Sequence, residues 1–160
     1  DTLKVNENIR IVPAFGTLLG IIRENGIINY DYDVDIFIFE EEWDKFKENI
    51  KKLDTEIYEV NINKILKFQS IGITDKKTGL SLDVNRLLIS NKKIYRQVIL
   101  SSCTDDDFMW SSPLFPYYEY DDFFPLEKKT TKYGEIYIPD KSEKLLTRWY
   151  GADWRIPKKP

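Results

Sequence analysis

The chain has 160 residues, 24 Lys/Arg against 27 Asp/Glu, and a net charge of −3. This composition is globular, and the length suffices for one domain with a core, spanning residues 1–160. With one cysteine and no histidine, the sequence excludes a disulfide framework, Cys- or His-ligated zinc and His-dependent nucleophilic catalysis. Acid–base and metal chemistry must fall to Asp, Glu, Lys, Tyr or Arg.

The charge is uneven. From Lys128 onward there are nine Lys/Arg against four Asp/Glu, which leaves residues 1–127 at −8. An acidic body with a basic C-terminal segment is not a nucleic-acid groove; it suits an anionic substrate held between metal and basic side chains, or is simply a solvated surface. No run is long and apolar enough to span a bilayer, and no signal segment opens the sequence. The expected compartment is cytoplasmic, with a trimmed leader left open by the start at Asp1.

In chain order, residues 9–15 (IRIVPAF) read as a short strand, with Pro13 at a sheet edge or at the strand's end. In GTLLGIIRENG, Gly16 breaks that strand and Thr17 caps a helix with Leu18, Leu19, Ile21 and Ile22 on its apolar face. Asn25-Gly26 ends the helix. Helix N-termini present free N–H groups, so a phosphate beside Gly16 and Thr17 is one reading and a plain strand–turn–helix the other.

Residues 30–39 (YDYDVDIFIF) read as the next strand. Asp31, Asp33 and Asp35 alternate along it, so all three would share one face at about 6.5–7 Å intervals. Unpaired carboxylates so close would repel, and a divalent cation with oxygen ligands resolves this. An EF-hand is rejected, because its sixth position needs glycine and here holds Ile36. Residues 40–53 form an amphipathic helix through Trp43, Phe46, Ile50 and Leu53, with Glu40, Glu41 and Glu42 as acids of the first turn.

Residues 56–60, 66–73 and 80–89 are predicted strands, with a hairpin turn at 75–79 (DKKTG). The last strand carries Asp83 between Leu82 and Val84, as a partnered carboxylate or a surface residue of an edge strand. Residues 101–107 are a loop. The aromatic-rich stretch 108–124 walls a pocket or packs the core. A hairpin follows with Gly134 near its turn, then a helix capped by Asp140 or Ser142, running through Trp149 and stopped by Gly151.

The order is strand, Gly-Thr helix, Asp-x-Asp strand and a later strand with another Asp. On AFGTLLGIIR, GIINYDYDVDI, FFPLEKK, YIP and WYGADW, the sequence resembles the LicD family, which includes the fukutin-related proteins. The resemblance implies an α+β chain of the polymerase β-like nucleotidyltransferase fold, a mixed sheet with flanking helices. It implies a phosphotransferase that moves a phospho-substituent, such as phosphocholine or an alditol phosphate, from a CDP-activated donor to a glycan hydroxyl. By that likeness Asp33 and Asp35 are the metal pair, Asp31 is the acid before it and Asp83 the third carboxylate. Gly16 and Thr17 form the phosphate-side turn, and Arg23 ends the helix as a phosphate clamp or as a partner of the acidic strand. The implied cofactor is Mg²⁺ or Mn²⁺. Tyr30 and Tyr32 depart from the family's Trp-Asp-Asp-Asp pattern. The other readings are an Asp-x-Asp glycosyltransferase, expected to carry more chain before the motif, and a non-catalytic nucleotide- or glycan-binding domain.

Overall fold

A computed structural model describes residues 9–65, 68–96 and 117–158. Its centre is β2 (Asp33–Phe39), whose last four residues are buried. β1 (Ile11–Pro13) lies antiparallel to β2 at the sheet edge, where Pro13 costs no ladder bond. Between them, α1 (Phe15–Glu24) begins at Phe15, which has a φ of +40°. It ends at Asn25, whose left-handed conformation lets its N–H bond the Gly20 carbonyl.

Past β2, a 3-10 turn (Glu40–Glu42) leads into α2 (Trp43–Ile50). The expected single helix over 40–53 is therefore shorter. The three glutamates act as ion-pair partners: Glu40 with Arg86, Glu41 and Glu42 with Arg10. α2 turns Trp43, Phe46 and Ile50 onto one face of the sheet, against Ile36, Ile38, Ile71 and Val84.

The chain then makes the hairpin β3 (Tyr58–Ile65) and β4 (Phe68–Asp75), and β5 (Ser81–Ser90) returns. The Asp75 side chain accepts from the N–H groups of Lys77 and Thr78, and Gly79 takes a φ of +75°, which closes the turn. β5 is long because it serves two partners. Its first half pairs antiparallel with β4, its second half with β6 (Lys93–Arg96). Its other edge pairs parallel with β2, so α2 and the β3–β4 hairpin together form the crossover that parallel strands require. Strand order is β1-β2-β5-β4-β3, with β6 and β7 (Tyr118–Glu119) continuing from β5.

α3 (Tyr120–Phe123), the hairpin of β8 (Glu127–Thr131) and β9 (Gly134–Ile138), and α4 (Ser142–Tyr150) complete the described chain. α3 and α4 cover the face opposite α2. There Phe37, Tyr118 and Phe123 pack with tilted rings, with Leu145 among them and Trp149 at the margin. The architecture is α+β, a mixed sheet with flanking helices. Residues 101–107 and 108–116, predicted as a loop and as aromatic wall or core, lie outside the described residues; of the same aromatic run, Tyr118 and Phe123 are core.

Three capping and boundary expectations are corrected. Thr17 is not the cap of α1 but a buried residue inside it, with its hydroxyl turned to β2. Neither Asp140 nor Ser142 caps α4: the preceding residue is Lys141, and the Ser142 hydroxyl donates to the Pro139 carbonyl. The Asp strand starts at Asp33 rather than Tyr30, because the chain is still in a turn at Tyr30, with the Asp31 N–H on the Ile28 carbonyl. No described helix is long and apolar enough to cross a membrane.

Candidate active site

On β2, odd-numbered residues from Asp33 to Phe39 share a face. Its far half, Phe37 and Phe39, is buried under α3 and α4, while Asp33 and Asp35 emerge where that cover ends. β5 repeats the pattern. Asp83 stands directly beside Asp35 in the parallel register, Asn85 beside Phe37 and buried Leu87 beside Phe39. Neighbouring strands lie about 4.8 Å apart and alternate residues about 6.5–7 Å apart, so Asp33, Asp35 and Asp83 occupy one corner of one face. Opposite Asp83, β4 supplies Gly72; a methyl group there would stand 3.7 Å from the Asp83 carboxylate, so the position leaves it room.

Asp35 is the most firmly held. Its N–H donates to the Thr17 hydroxyl at 2.8 Å, its carbonyl accepts from the Ala14 N–H at 2.9 Å, and its carboxylate accepts from the Asn85 amide at 3.3 Å. The start of α1 and β2 are thereby fixed to each other at the site. Gly16 has a different role from a phosphate contact alone. A Cβ on it would sit 2.8 Å from Asp31 Oδ2, so glycine makes the space in which Asp31 lies.

The electrostatics follow from burial first and from the crowding of like charges second. Burial, then the charges of Asp33 and Asp83, push Asp35 up to about 6. Burial, then a side-chain hydrogen bond with Asp33, push Asp31 up to about 6, and burial with the Asp33 charge raises Asp83. Tyr150, at the end of α4, is raised to about 12 by burial and then by Asp35, Asp31 and Asp33, and it lines the same pocket as Gly16 and Asp31. Among the described residues, every ion pair of a Lys or Arg is made with some other acid.

The sequence-predicted residues therefore divide. Asp33, Asp35 and Asp83 come together on adjacent strands, Asp31 reaches them from the preceding turn, and Gly16 and Thr17 position two of the four. Arg23 does not pair with the acidic strand: it binds Glu24 at 2.7 Å and donates to the Trp154 carbonyl at 3.4 Å. It lines a pocket of about 250 Å³ with Gly16, Asp31, Tyr30, Tyr150 and Trp154. Asn85 and Tyr150 are additions. Asn85 was readable, since alternation in LSLDVNRL puts it on the face of Asp83. Tyr150 lies in the WYGADW run that carries the family resemblance, but its place beside the acids comes only from the packing of α4.

These carboxylates are not a closed cage, for no three acids among the described residues converge on a point that could hold an ion. The donor set still fits Mg²⁺ or Mn²⁺. It is all oxygen, it is anionic, and Mg²⁺ ordinarily takes one or two carboxylates and completes its shell with water and substrate phosphate. Asp33 and Asp35 would hold the ion, with Asp83 beside them.

The chain is 28% identical over 164 aligned residues to the uncharacterized protein RP689 of Rickettsia prowazekii (strain Madrid E), covering 95% of this chain and 51% of that one. It thus spans about half the length of that curated relative. Residues 8–141, which include β1 to β9 and all four aspartates, match the family described as LicD/FKTN/FKRP, nucleotidyltransferase domain. The chain belongs to that family.

Proposed function

We propose that the chain is a divalent-cation-dependent phosphotransferase of the nucleotidyltransferase fold, in one domain, moving a phospho-substituent from a CDP-activated donor to a glycan hydroxyl. The observation that carries this reading is the Asp35–Asp83 register with Asp33 on the same face, where burial and then the neighbouring carboxylate charges raise Asp35. Family membership supports a phosphotransferase-like or glycan-modifying role.

Phosphoryl transfer needs charge neutralised on the phosphate oxygens and an in-line nucleophile. A bound Mg²⁺ or Mn²⁺ supplies that neutralisation. The acceptor oxygen forms a bond to the distal phosphorus of the donor. The bond from that phosphorus to the bridging oxygen breaks, and CMP leaves with the electron pair. Asp33 and Asp35 would hold the cation. Asp83, the most exposed of the three strand acids, accepts the acceptor's hydroxyl proton. Thr17 and Asn85 keep Asp35 oriented while the charge redistributes.

The test is a screen of CDP-choline and CDP-alditols with Mg²⁺ and sugar acceptors, read as CMP release. The expected result is release that EDTA abolishes and Mg²⁺ or Mn²⁺ restores. Turnover undiminished in EDTA, or no release with any CDP compound and acceptor, would overturn the reading.

A further inference from the structure

The pocket beside the carboxylates runs along α1, where Gly16, Leu19 and Arg23 follow at helical spacing and span about 10 Å. Its Gly16 end touches Asp31 and so opens onto the acidic corner. The opposite wall is Tyr150, Trp154 and Lys158, all beyond residue 141, where the family match ends. That wall is tied down: the Tyr30 hydroxyl donates to the Lys158 carbonyl and Arg23 to the Trp154 carbonyl, both at 3.4 Å. The two cations in the lining already have acids, Arg23 with Glu24 and Lys158 with Asp153 at 3.0 Å. What the pocket offers a ligand is ring and aliphatic surface with one carboxylate at its mouth. This is poor chemistry for a phosphate and good chemistry for a flat, uncharged ring system.

We propose that this pocket seats the nucleoside of the activated donor, with the base stacked on Tyr150, and that Tyr150 is a specificity-determining residue. The inference rests on the phosphotransferase reading and adds the place where the nucleoside sits. The diphosphate then runs past Gly16 toward Asp33 and Asp35, and in-line attack brings the acceptor from the side away from the pocket. A glycan acceptor, being an extended chain, fits this bounded volume of about 250 Å³ poorly.

Calorimetric titration with CMP and with inorganic pyrophosphate, both in excess Mg²⁺, tests the inference on the wild type, Tyr150→Ala, Tyr150→Phe and Asp35→Asn. Stacking of one base on a ring implies that Tyr150→Ala weakens CMP at least about fivefold. Tyr150→Phe should keep CMP within about twofold, and both variants should bind pyrophosphate as the wild type does. Tyr30→Ala, at a half-exposed position, gives the same split should Tyr150→Ala fail to fold. If Tyr150→Ala and Tyr30→Ala bind CMP as tightly as wild type while Asp35→Asn loses pyrophosphate, the pocket inference is wrong and the metal reading stands. If the wild type binds neither probe, the phosphotransferase reading fails first and the inference falls with it.

Discussion

Asp35 concentrates the argument at the scale of single residues. Its carboxyl is held up near 6 by burial first and by Asp33 and Asp83 next, and Asp31 is raised to about 6 beside it. Against an ordinary value of 3.8, the folded chain holds more protons than the unfolded chain between about pH 4 and 6. These two groups therefore favour folding below about pH 4, and that contribution is lost as pH rises through 6. Thermal melts should show wild-type stability relative to Asp35→Asn falling over that window, with Asp35→Asn the more stable at pH 7. Saturating Mg²⁺ should raise the wild-type Tm at pH 7 and have little effect at pH 4.5. A wild-type advantage at pH 7 without cation would contradict the crowding. For turnover the sign reverses: Asp35→Asn should lower kcat by about 100-fold or more, since several kcal/mol of charge stabilisation rests on it. Gly16→Ala makes a separate point. The new methyl displaces Asp31, a movable side chain, so circular dichroism should remain native while activity falls.

Between elements, the contact to test is α1 against β2. The Thr17 hydroxyl replaces a strand partner for the Asp35 N–H at the edge of the site. Thr17→Val leaves that N–H without its acceptor and should cost about 1–3 kcal/mol in a denaturation midpoint, with a loss of activity larger than global destabilisation explains. Retained stability and activity would show that α1 does not position Asp35. The same contact explains what the sequence did and did not reveal. Apolar spacing at Leu18, Leu19 and Ile21 made the helix visible, and Thr17 read as its cap because threonine just after a glycine has that propensity. Only the third dimension shows that β2 competes for the hydroxyl. Asp31 likewise continued the alternation of Asp33 and Asp35, but local hydrogen bonding to Ile28 holds it in the turn before the strand.

Across the whole molecule, the acidic corner lies where one face of β2 and β5 passes from Asp33, Asp35 and Asp83 to large apolar residues, at Phe37 on β2 and, after Asn85, at Leu87 on β5. Phe37, fully buried among Phe15, Tyr118, Phe123 and Trp149, anchors that level. Phe37→Ala should cost about 3–5 kcal/mol by chemical denaturation; a cost under about 1 kcal/mol would show that the aromatic layer does not set the register. The alternating pattern of each strand was legible, and so were the mixed α and β elements. The parallel register that sets Asp83 beside Asp35 was not, because nothing local in the crossover between them specifies it. Nor was the wall from Tyr150 to Lys158, which meets α1 only after the chain has closed. The central claim is that this corner grips a hard cation together with a diphosphate. Electron paramagnetic resonance of Mn²⁺ titrated into the protein with CDP measures it directly. The account predicts one or two bound Mn²⁺ in the wild type, strengthened by CDP and lost in Asp33→Asn/Asp35→Asn. Undiminished Mn²⁺ binding in that double variant, or none in the wild type with CDP present, would contradict it.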